Sequence, residues 1–111
     1  MDGLVHVPTE ATPVSSPELG VQRQILAFNK NLMLVRHQLV KGWQGTSHKH
    51  PHDQLVYMVR GSILFTAGGK TVELHPGDSV IAPGGMEHQA TALEDSEVLD
   101  VFNPYREDYA R

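Results

Sequence analysis

A single-domain, all-β fold, built as a barrel or double-sheet jelly roll, is predicted by three observations. Apolar residues alternate with polar ones or form short runs, and no stretch shows helical spacing. Turn-forming residues interrupt these runs roughly every eight to twelve positions. The 111 residues suffice for one modest core.

The composition excludes several classes of protein. With 13 acidic and 9 basic side chains the net charge is −4, which argues against a nucleic-acid partner. There is no cysteine, so neither disulfides nor thiol chemistry is available. No run approaches the ~18 apolar residues of a membrane span, and the first residues lack a secretion signal's basic and apolar regions. The expectation is a cytoplasmic protein without a membrane partner.

Taken in order, residues 1–20 hold three of the seven prolines and are expected to form an N-terminal arm, loose or crossing to a second copy. Residues 21–111 are expected to form the barrel and a charged C-terminal tail. Residues 22–28 read as a strand closed by Asn29, Lys30 and Asn31, and residues 32–40 as the next, closed by Gly42. His37 lies between Arg36 and Gln38 and is expected at the surface or between strands. Trp43, the only tryptophan, is expected to pack over the barrel mouth. Residues 62–67 and 70–74 flank Gly68-Gly69, a hairpin signal, with Val72 and Leu74 on one face. Pro76-Gly77 suits a type II turn, after which a short strand runs to Pro83 and another begins at His88. The last strand covers residues 98–102, ended by Asn103-Pro104.

Two stretches carry the chemistry. In Ser47-His48-Lys49-His50-Pro51-His52-Asp53-Gln54, His48 and His50 alternate. On an extended chain they share one face about 6.6 Å apart, so both imidazoles can lean onto one ion. A bend at Pro51 and Asp53 would bring Gln54 back to the same ion. Pro51 also breaks the register of His52, which is placed behind the ligands or at the rim. His75, in a turn before Pro76, is not expected to bind metal. The second stretch, residues 76–88, ends in a lone His88. Imidazoles leave open coordination positions for water or substrate. Asp100 shares a strand face with Val98 and Phe102; if that face lines the cavity, the carboxylate can act as a general acid or base.

Together the stretches resemble the two motifs of the cupin superfamily. Gly77, Pro83, Gly85 and His88 fit the second motif without a gap, and Gln54 takes the place of the first motif's acidic residue, with Gly61 following as that motif requires. The resemblance implies a cupin β-barrel (a double-stranded β-helix or jelly roll) and a metal held by His48, His50, Gln54 and His88. The donor set suits one divalent transition metal per chain: zinc, nickel, iron or manganese. A narrower resemblance rests on residues 48–57, 92–102 and 104–109. It is to the small cupins of pectin and alginate breakdown, which convert 4,5-unsaturated monouronates to linear keto-uronates. Asp53 and Tyr105 depart mildly from that family's pattern. It implies a catalytic Asp100 and substrate-binding roles for Phe102 and Arg106. The expected function is therefore metal-dependent opening of an unsaturated uronate by a homodimer whose small-molecule partner is an anionic sugar. A metal-dependent oxygenase and a non-catalytic metal- or sugar-binding cupin are the alternatives.

Overall fold

A computed structural model describes residues 3–110. The strands are β1 (Ser15–Glu18), β2 (Val21–Phe28), β3 (Met33–Leu39), β4 (Asp53–Arg60), β5 (Ile63–Ala67), β6 (Lys70–Leu74), β7 (Ser79–Ala82), β8 (His88–Ala92) and β9 (Ser96–Asn103). One 3-10 turn, Thr9–Ala11, is the only helical element among the described residues. None of them forms a helix long and apolar enough to cross a membrane.

The strands form two antiparallel sheets, one of order β1-β2-β3-β9-β4-β7 and one of order β6-β5-β8. Alternation decides which side chains meet between them. From the larger sheet, Val21, Leu39, Val56, Met58, Ala82 and Val98 are buried, and from the smaller one Ile63, Phe65, Leu74 and Ala92. Burying a side chain of this size stabilises by roughly 1.5–3 kcal/mol, so this layer holds the sheets together. A second cluster of Met33, Val35 and Phe102 lies under Tyr105, Tyr109 and Ala110. The expected charged tail is thus docked on the barrel, with Tyr105 stacked on Phe28 at 5.8 Å between ring centroids. Arg111 lies outside the described residues.

Two further features differ from expectation. Within the 1–20 segment, β1 pairs with β2 of its own chain, Glu18 opposite Val21. His48 and His50 do not share a continuous strand. Residues 42–48 instead run beside β8, with Gly42 N–H bonded to Ala92 O, Gly45 N–H to Ala90 O, and His48 and His88 exchanging both backbone bonds. Through the isolated bridge that results, the first-motif histidine reaches the second-motif one.

Candidate metal centre

The bend after His50 is built from both motifs. Gly77 takes φ +92° in the turn entering β7, where a side chain would be strained. At Gly84 the constraint is space: a Cβ there would collide with the Pro51 carbonyl oxygen. The Gly85 N–H donates to His50 O at 2.8 Å, and the Gly84 N–H to Asp53 Oδ1 at 2.8 Å. The second motif's glycines therefore clamp the bend that separates His50 from Gln54. As a result, Gln54 Oε1 lies 3.1 Å from His50 Nε2.

His48, His50 and His88 offer nitrogens that all lie within 4.8 Å of one another. Each ring is oriented by its own backbone neighbourhood. His48 Nδ1 lies 2.9 Å from Thr46 O, His50 Nδ1 3.1 Å from His52 O, and His88 Nδ1 3.0 Å from Met86 O. A carbonyl only accepts, so each Nδ1 carries the proton and each Nε2 is bare. Burial pushes the pKa of His50 and of His88 below the usual histidine value, which keeps both neutral, as metal ligation requires.

Two observations test whether this set fits a cation. His88 Nε2 is buried without a hydrogen-bond partner. Gln54 Nε2 donates to Asp100 Oδ1 at 2.8 Å, which turns its Oε1 towards the bare His50 Nε2. Two acceptors therefore face each other, and a divalent ion satisfies both them and the orphaned His88 nitrogen. The residues fit. His52 is outside the three-histidine group; its carbonyl orients His50 while its ring packs 5.2 Å from the His50 ring. His75 is exposed and pairs with Glu73.

The centre opens into a cavity of about 190 Å³ whose walls include His48, Gln54, His88, Asp100, Arg23 and Arg106. Asp100 is 3% exposed, on the inward face of β9. Its Oδ1 accepts from Gln54 and its Oδ2 from His37 Nδ1 at 2.7 Å. Arg106 reaches the cavity from beyond β9, with its guanidinium 4.1 Å from the Tyr109 ring centroid and 5.2 Å from that of Phe102. Two contacts to Asp108, at 2.8 and 3.2 Å, hold it and depress the Asp108 carboxyl pKa. Phe102 lines the cavity but is 1% exposed, its ring set edge-on to His50 and Tyr109. Trp43 also lines the cavity, its indole N–H bonded to Glu18 at 2.9 Å.

Sequence reasoning missed three residues here: Arg23, His37 and Tyr109. For His37 the available signal was two positions away. Val35 and Leu39 are buried, and a period of two places His37 on their face. Arg23 likewise stands between Val21 and Ile25.

Three imidazoles that could hold a metal ion, with a carboxamide beside them, open on a cavity between the two antiparallel sheets of a small β-barrel. The chain belongs to the cupin family, whose cupin-domain model matches residues 35–102. It is 35% identical to the pectin degradation protein KdgF of Dickeya dadantii, over 90% of this chain and 93% of that protein. The structure of KdgF from Halomonas sp. superimposes with a TM-score of 0.88 at 38% identity, covering 94% of this chain and 96% of the other. A RmlC-like cupin from Shewanella frigidimarina gives 0.90 at 33% identity, with 95% of both chains covered.

Proposed function

We propose that this protein opens a 4,5-unsaturated uronate ring and converts it to the linear keto form. One observation carries the reading: a buried carboxylate, Asp100, stands one hydrogen bond from the metal-facing Gln54 in a cavity bordered by two arginines. The likeness to a pectin degradation protein over nine-tenths of the chain supports the substrate class.

The reaction is a proton relocation without redox change. The hemiacetal hydroxyl gives up its proton, the ring C–O bond breaks towards oxygen, and the enolate so formed is protonated on carbon to become a ketone. Asp100 is the group placed to take the first proton and return it. A divalent ion held by His48, His50, Gln54 and His88 would supply Lewis-acid polarisation of the substrate's oxygen atoms. Arg106 offsets the charge of the substrate carboxylate. Phe102, so little exposed, offers the sugar only a ring edge and mainly backs His50. The same reading includes a homodimer.

Turnover of an unsaturated monouronate by the metal-loaded protein tests the function. Activity should follow metal content, at close to one ion per chain, and both should vanish when His50 and His88 are together replaced by Ala. Absence of turnover in fully loaded protein would overturn the reading.

A further inference from the structure

The Asp100 carboxylate does not stand alone. His37 Nδ1 meets Asp100 Oδ2 at 2.7 Å, and Arg23 Nε meets His37 Nε2 at 2.9 Å. Arg23 and His37 are direct register partners on β2 and β3, both on the inward face. Arg23 is fixed in turn by Tyr109: its guanidinium carbon lies 4.0 Å from the ring centroid, and its Nη2 donates to the hydroxyl at 3.3 Å. None of these three residues holds the metal.

We propose that Arg23 is a positioning residue that locks His37 in a single neutral tautomer, making His37 a fixed donor that aims Asp100 at the substrate. A neutral imidazole has one N–H and one bare nitrogen, whereas a guanidinium only donates and keeps its protons. The Arg23 N–H pointing at His37 Nε2 therefore needs that nitrogen bare, and the ring proton must sit on Nδ1, against Asp100. The other tautomer would set N–H against N–H on one side and a lone pair against a carboxylate on the other. In the familiar serine-hydrolase arrangement the imidazole faces the substrate and a carboxylate orients it. Here the order is reversed: the carboxylate faces the cavity, and the imidazole behind it is closed by a cation. Gln54 holds the second carboxylate oxygen, so Asp100 is gripped from both sides and cannot rotate without losing a bond.

The inference rests on the uronate reading for its kinetic consequence and on geometry alone for the tautomer. Its test uses the zinc-loaded full chain. Nitrogen NMR of the His37 ring at neutral pH should show Nδ1–H with Nε2 bare, and Nε2 gaining a proton in Arg23→Met. Turnover should drop about tenfold or more in kcat for Arg23→Met and for His37→Leu, with the double variant no worse than the poorer single one, because the two act as a unit. His37→Gln, whose amide supplies both a donor and an acceptor, should recover much of the loss. An Nε2–H tautomer in the unsubstituted protein, or an Nε2 still bare in Arg23→Met, would overturn the proposal. So would losses that multiply in the double variant and fall mainly on KM, since Arg23 would then act by binding substrate. Failure of the unsubstituted protein to open any uronate would sink the substrate reading and leave the tautomer result to decide this one.

Discussion

Asp100 accepts from Gln54 Nε2–H and, on the proposed tautomer, from His37 Nδ1–H. Only a carboxylate can satisfy both at this size. In Asp100→Asn the amide's NH₂ must face one donor or the other, so one bond becomes a clash of hydrogens. The variant should lose roughly 1–3 kcal/mol of stability and ~10²–10⁴ in turnover. Thermal unfolding and kinetics on one metal-loaded preparation check both, and unchanged turnover would remove Asp100 from the chemistry. His50 and His88 lead to a second expectation at this scale. Burial lowers both pKa values, so the unfolded chain binds more protons once pH falls below about 6.5, the ordinary histidine value. Their contribution to stability is therefore complete above that pH and is lost as the solution is acidified. Urea midpoints of chelator-treated protein should rise from pH 5 to 7, and the rise should flatten in His88→Gln. An identical slope in that variant would contradict the assignment.

Among the elements, the bend between His50 and Gln54 depends most on distant sequence. Adding a methyl group at Gly84 drives it into the Pro51 carbonyl, and neither backbone can yield without opening the turn. Gly84→Ala should cost roughly 1–3 kcal/mol and weaken metal retention, read by melting temperature and metal content after dialysis. Full metal at wild-type stability would show that the bend is softer than its packing. How far each element was legible follows from where its information lies. On β9 the period of two grouped Asp100 with Val98 and Phe102, and burial then shows that this is the inner face. The spacing of His48, His50, Gln54 and His88 pointed to a shared ion, but not to the route. His48 arrives by backbone pairing with His88, a contact across forty residues that no local pattern encodes. β1 was illegible because Ser-Ser-Pro-Glu has no apolar alternation; it exists only because β2 offers an edge. His37 does lie between strands, as expected, but its bond to Asp100 could be read only from the residues that share its face, two positions away.

At the scale of the whole molecule, the outer face of the larger sheet carries apolar residues that no other described residue covers. Leu55 stands in register with Ile81 on one side and Val101 on the other, and Tyr57 with Leu99. Ile81 is 64% exposed and Tyr57 44%, so the stripe faces solvent. We propose that a second copy covers it, which is the surface the homodimer reading requires. Light scattering should give about twice the 12.3 kDa chain mass, and Ile81→Glu should return it towards one chain without loss of metal. A monomer at micromolar concentration would remove the idea. The three ligand rings, by contrast, take their orientation from carbonyls of Thr46, His52 and Met86, each two residues from the ring it holds. The three rings are thus oriented by short local stretches of backbone, whereas Asp100 and Arg106 come from β9 and the segment after Pro104. Substitutions after Pro104 that reshape the cavity for a different acid or sugar would therefore leave in place the carbonyls that orient the three imidazoles.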